Sequence, residues 1–285
     1  MSKTNSETAK GLKNSSKTRV KPFFSYLFKN QGNGAAWLPN LLGMVTKNKD
    51  LADMMSNMDC NVITRTEKKK SNNNSSESPA WEDCFEYSLH PSRSLLRWMI
   101  EHPDELTWPR KNGVLEKFER ETTQPMRESL IFPANDIDRK KAQQEALKLL
   151  EEKGPQKSRK KWWAFEGFTS IDCLLETKDF ILAIEGKRTD SASQTIEWYP
   201  KRNQIIRNLE AVKEKAGSKP YAVLLMNKDG KDPVKDAHFT DSLPHYSQQE
   251  INELKKRYLG AVSWEQACKA VGIDLNDLPD TIYDI

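Results

Sequence analysis

Two apolar runs constrain this chain more than any other feature. Residues 180–184 read Phe-Ile-Leu-Ala-Ile and residues 221–226 read Tyr-Ala-Val-Leu-Leu-Met, with no polar alternation in either. Runs of that kind suit strands buried on both faces, so the sheet they build needs cover on both sides. Between them, residues 201–215 carry a helical pattern that Gly217 ends. Residues 162–168 and 170–176 read as two further strands. Residues 138–153 read as a helix after caps at Asn135 and Asp136, stopped at Gly154-Pro155. The expected order from residue 138 is helix, three strands, helix, strand, an α/β core with a mixed sheet over residues 138–227.

The flanks read differently. Residues 1–80 hold thirteen Lys/Arg and six Asp/Glu, a balance of +7 in a chain whose total is +4. The remaining residues are therefore slightly acidic, and a globally basic nucleic-acid binder is excluded while a local basic patch is not. The first twenty-one residues are mostly Ser, Thr, Asn and Lys, and residues 66–80 are polar low complexity. Residues 1–80 are thus expected to be a basic, largely disordered region and linker that the fold can lose. Within them a modestly apolar stretch from Pro22 to about Ile63, containing Trp37, Leu38, Leu41, Leu42 and Met44, has the content for a short helix. Residues 81–137 read as a helical addition, with helices over 92–102 and 114–121. Residues 228–285 read as a second one, opened by the capping boxes Ser247-x-x-Glu250 and Ser263-x-x-Gln266.

Two classes fall away at once. No run of about 18 apolar residues exists, so no membrane span is expected. Cys60, Cys84, Cys173 and Cys268 lie far apart, which spells neither a zinc site nor a disulfide framework, and a reducing, cytoplasmic location is expected.

The chemistry concentrates in Asp172, twelve intervening residues, then Glu185-Gly186-Lys187. Glu185 and Lys187 are two apart on a strand and share a face. A tight turn within residues 176–179 joins their strand to the one before. With a two- or four-residue loop, Asp172 faces Ala183 or Glu185 itself, and all three groups meet on one face; a three-residue loop, or a bulge at Gly186, would separate them. Paired carboxylates suit Mg²⁺ or Mn²⁺, hard cations held through few protein oxygens. Such an ion acidifies a bound water and offsets charge on a phosphodiester, and a lysine can orient or deprotonate that water.

This arrangement resembles the PD-(D/E)xK nuclease superfamily of restriction enzymes, repair nucleases and exonucleases, over residues 138–226. Ile171 stands where that family often has proline. The resemblance implies a restriction-endonuclease-like core (α-βββ-α-β), with Asp172 and Glu185 as metal ligands, Lys187 as the catalytic lysine, and Glu145, on the preceding helix, as a further metal ligand. It implies a metal-dependent deoxyribonuclease; the motif does not distinguish DNA from RNA. Gln204, Arg207 and Asn208 are candidates for substrate contact, and Glu166 for a supporting role. Lys160, Lys161, Arg188, Lys201 and Arg202 could track phosphates as a basic rim. The competing reading is a noncatalytic nucleic-acid-binding or scaffolding protein on the same fold.

Overall fold

A computed structural model describes residues 15–63, 80–106, 110–111, 114–115, 129–154, 166–188 and 199–278. Its centre is a five-stranded mixed sheet in which the strands lie in chain order: β1 (Phe85–Leu89), β2 (Thr169–Glu176), β3 (Ile181–Gly186), β4 (Tyr221–Asn227) and β5 (Tyr258–Ser263). The pairs β1·β2 and β2·β3 are antiparallel, whereas β3·β4 and β4·β5 are parallel. The parallel step from β3 to β4 is bridged by helix α6 (Gln204–Ala216), and that from β4 to β5 by α7 (Asp236–Ser242) and α8 (Gln248–Lys255). Every residue of β3 is buried, as its unbroken apolar run requires.

One face of the sheet carries α6, α7 and α8, whose Ile205, Leu209, Val212, Phe239 and Ile251 pack on Ile181, Ala183, Val223 and Leu225. The other face is covered from the N-terminal side. A π-helical turn (Ser16–Val20) runs into α1 (Lys21–Gln31), followed by α2 (Leu38–Gly43) and α3 (Lys49–Ser56). Phe23, Phe24, Leu27, Trp37, Leu38, Leu41 and Leu42 are buried there against Leu182, Ile184, Leu224 and Met226, joined by α9 (Trp264–Ala270). A third cluster joins α4 (Arg93–Glu101) to α5 (Asp136–Lys153) through Leu95, Met99, Ala142, Ala146 and Leu150.

Four expectations change. Residues 15–63 are not a trailing linker, because the β3–β4 face needs an apolar cover and α1–α3 supply it. The third strand of the antiparallel meander is residues 85–89, contributed from before α5. Residues 166–168 carry no strand, and 162–165 lie outside the described residues. The C-terminal addition is not purely helical, since it contributes β5, whose last residue Ser263 caps α9. Val114–Leu115 pairs with Arg110–Lys111 in a two-residue ladder instead of opening a helix, and residues 116–121 lie outside the described residues. The capping boxes at Ser247 and Ser263 form as read.

Gly186 fixes how closely the N-terminal cover sits. A Cβ built there would stand 2.0 Å from Val20 Cγ2 and 3.1 Å from the Trp264 ring. Gly186→Ala should therefore cost about 1–3 kcal/mol in urea unfolding, as overpacking does, and Val20→Ala in the same chain should recover part of that loss. Removing residues 1–63 should abolish the cooperative transition altogether. Each large apolar side chain of α1 and α2 contributes about 1.5–3 kcal/mol of burial, and several of them together rival the whole stability of a domain.

Candidate active site

The site forms where β2 and β3 come apart. Their register pairs Cys173 with Ile184, Leu174 with Ala183, Leu175 with Leu182 and Glu176 with Ile181, so residues 177–180 make a four-residue loop. Continuing this register sets Asp172 across from Glu185, one of the two arrangements the spacing allowed. The backbone ladder ends at Cys173, however, and the Gly186 amide donates to Asp172 Oδ2 (2.8 Å). A side-chain oxygen takes the place that a strand carbonyl would fill.

The opening coincides with a break in alternation. Ile171 and Leu174 both pack on the α6 side, while Cys173 and Leu175 pack on the other. Strict two-residue periodicity would put Ile171 with Cys173. Beside this slip, between the pairs Phe85·Cys173 and Tyr87·Ile171, Glu86 of β1 has φ of 47°, a left-handed conformation that costs a non-glycine residue free energy. Glu86 acts electrostatically on Asp172. Nothing in the local sequence marks Glu86.

Beyond Glu185 the strand stays regular. Gly186 pairs with Met226 and the Lys187 amide donates to the Met226 carbonyl (2.7 Å), so there is no bulge at the glycine. Lys187 therefore returns to the face of Glu185, and its ammonium lies 2.9 Å from Glu185 Oε1. Glu185 is 1% exposed. Helix α6 supplies two further partners: Gln204 Nε2 donates to Oε1 (2.6 Å) and Asn208 Nδ2 to Oε2 (2.8 Å). Positions four apart on a helix lie one above the other, which is how one turn of α6 grips both oxygens. Asn203 caps the helix through the Ile205 amide and sets this turn in place.

Burial, and then the charge of Glu185, push the Asp172 carboxyl up to about 7, against the pull of the Gly186 amide and Lys187. Two acids held together in a partly desolvated place resist ionising together.

Behind α6 lies a second polar cluster. Arg202 is 1% exposed and forks onto Glu166 (2.8 and 3.0 Å), donates to the Ser242 carbonyl (3.0 Å) and pairs with Glu210. Burial would raise the Glu210 carboxyl, but Arg202 and His245 outweigh it and hold it at about 2. Arg207 donates to the Gly167 carbonyl (3.0 Å) and lies 3.2 Å from Glu166. This cluster fastens residues 166–168, the entry to β2, onto α6.

The predicted site residues therefore divide. Asp172, Glu185, Lys187 and Gln204 come together. Glu145 does not join them: it is exposed on α5, whose buried side packs on α4. Arg202 is no phosphate contact, because its guanidinium is consumed by Glu166 and Glu210 in the interior. Glu166 holds α6 in place and does not touch the acids. Lys201 is exposed, and Arg188 is half-buried with its amide donating to Ser15 Oγ (2.8 Å). Lys160 and Lys161 lie outside the described residues. Among the described residues no group of three or more His, Cys, Asp or Glu stands in metal-binding proximity, and no helix is long and apolar enough to cross a membrane.

A raised carboxyl pKa stabilises the fold below the unfolded value near 4, and that stability is lost as pH rises through about 7. Asp172→Asn keeps an acceptor for the Gly186 amide and removes the charge. In buffer free of divalent ions it should raise unfolding stability by about 1–3 kcal/mol at pH 8 and change little at pH 4. Equal effects at both pH values would show that the charge of Asp172 is not strained.

Comparison with protein-family models, with curated proteins and with solved structures finds no match to this chain.

Proposed function

We propose that this chain is a metal-dependent nuclease that hydrolyses phosphodiester bonds in DNA, built on a restriction-endonuclease-like core, with Asp172, Glu185 and Lys187 as its working residues. The observation that supports this reading best is the meeting of two carboxylates and one ammonium at the open end of the β2·β3 ladder. Acids in such a place have chemical use only if a cation joins them or a proton leaves them.

The donor set fits a hard divalent ion. Asp172 and Glu185 offer carboxylate oxygens only, and Mg²⁺ or Mn²⁺ is commonly held by one or two carboxylates with water completing the shell. The crowding that raises Asp172 is what a dication would relieve. Such an ion, when bound, supplies a water of lowered pKa and positive charge opposite the scissile phosphate.

The residues of the chain do the rest. Asp172 and Glu185 orient the reacting groups from two stiff strands. Lys187, 13% exposed, is placed to donate to a phosphate oxygen or to exchange a proton with the attacking water once it leaves Glu185 Oε1. Gln204 and Asn208 keep Glu185 aimed while Lys187 moves. Lys201, exposed just ahead of α6, and Arg188, directly after Lys187, are candidate cations for neighbouring phosphates.

With Mg²⁺ present, the protein should cut plasmid or single-stranded DNA. Glu185→Ala and Lys187→Ala should each lower the rate by at least about two orders of magnitude while far-UV circular dichroism is preserved. Cleavage at the normal rate by either variant would remove that residue from the chemistry. DNA binding without any cleavage would favour the noncatalytic alternative.

A further inference from the structure

Thr169, the first residue of β2, lies in the interior at 4% exposure, next to α6. Its Oγ1 is 2.6 Å from Asn208 Oδ1, and the Asn208 Nδ2 on the other side of the same amide is 2.8 Å from Glu185 Oε2. An asparagine amide has one accepting and one donating end, and a carboxylate only accepts. The carboxylate therefore requires Nδ2 to face Glu185, which leaves Oδ1 toward Thr169 and makes the hydroxyl the donor; that second bond holds the amide where Nδ2 reaches Oε2. A flipped amide would set an oxygen against the carboxylate. The relay reaches further back, since the loop before Thr169 is tied to α6 by Arg207 on the Gly167 carbonyl and by the Arg202·Glu166 fork.

We propose that Thr169 is a positioning residue of the site. Its hydroxyl holds the Asn208 amide so that Glu185 Oε2 stays pinned, and leaves Oε1, which accepts from both Gln204 and Lys187, as the oxygen that exchanges Lys187 for a divalent ion. The proposal rests on the metal-site reading of Asp172 and Glu185. It adds that the precision of this site is set from a residue that touches neither ion nor substrate. An oxygen fixed in place loses less freedom on binding than one that must be ordered at that moment.

The test is calorimetric titration of the full chain with Mn²⁺ alone, with no nucleic acid and no turnover. Thr169→Val removes the hydroxyl at nearly constant shape and should weaken Mn²⁺ binding about fivefold to tenfold, the usual worth of one buried hydrogen bond. Thr169→Ser, which keeps the donor, should bind within about twofold of the parent. If Thr169→Val fails to fold, Thr169→Ala removes the same donor with less steric demand and carries the same expectation. Melting temperature is recorded alongside. A variant without the hydroxyl that melts earlier yet binds Mn²⁺ as tightly as the parent has lost only structure, and the proposal is overturned. Parent protein that binds no Mn²⁺ overturns the metal-site reading itself, and with it this proposal. Parent binding with equal binding by Thr169→Val overturns the positioning role alone.

Discussion

A carboxylate at 1% exposure survives in a protein only where donors replace the water it has lost. Glu185 is that group, and much of the structure is arranged around keeping it there. Gln204 and Asn208 reach it from one turn of α6, Lys187 from its own strand, and the Arg202 cluster holds α6 to the loop that begins β2. The cost of this arrangement appears at Asp172, whose proton is held to about 7 by burial and by the neighbouring charge. The proposed function gives this strained pair a use that packing alone does not.

The opposite face of β3 shows the same dependence from behind. Gly186 stands between Glu185 and Lys187, and its bare Cα is what lets Val20 and Trp264 close on the strand. Trp264 also donates its indole hydrogen to the Lys187 carbonyl (2.8 Å). The N-terminal cover and the candidate site thus share one short piece of backbone. Changes at Val20 or Trp264 can reach Lys187 without touching any charged group.

Much of this was legible in the sequence, for identifiable reasons. The apolar runs of β3 and β4 admit one interpretation, and the two-residue spacing of Glu185 and Lys187 fixes their common face once no bulge intervenes. The four-residue loop then set Asp172 across from Glu185. Other parts were hidden by the kind of signal they carry. The helices over residues 15–63 are rich in Ser, Asn and Lys on their outer sides, which dilutes the apolar stripe of Phe23, Phe24, Leu27 and Leu41. β1 pairs with a partner eighty or more residues away, and no local pattern announces such a contact. Arg202 looked like a surface cation because composition does not reveal that Glu166 and Glu210 converge on it. A signal for Asn208 was present, in its four-residue spacing from Gln204, but only the fold shows that both residues face Glu185.

The central claim is that Asp172 and Glu185 are two halves of one divalent-ion site. Crystals soaked in Mn²⁺ and measured at the manganese absorption edge test it most directly. The expected result is an anomalous peak in contact with carboxylate oxygens of both residues, with the Lys187 ammonium displaced from Glu185 Oε1. A peak elsewhere on the molecule, or none at concentrations that saturate carboxylate sites, would contradict it.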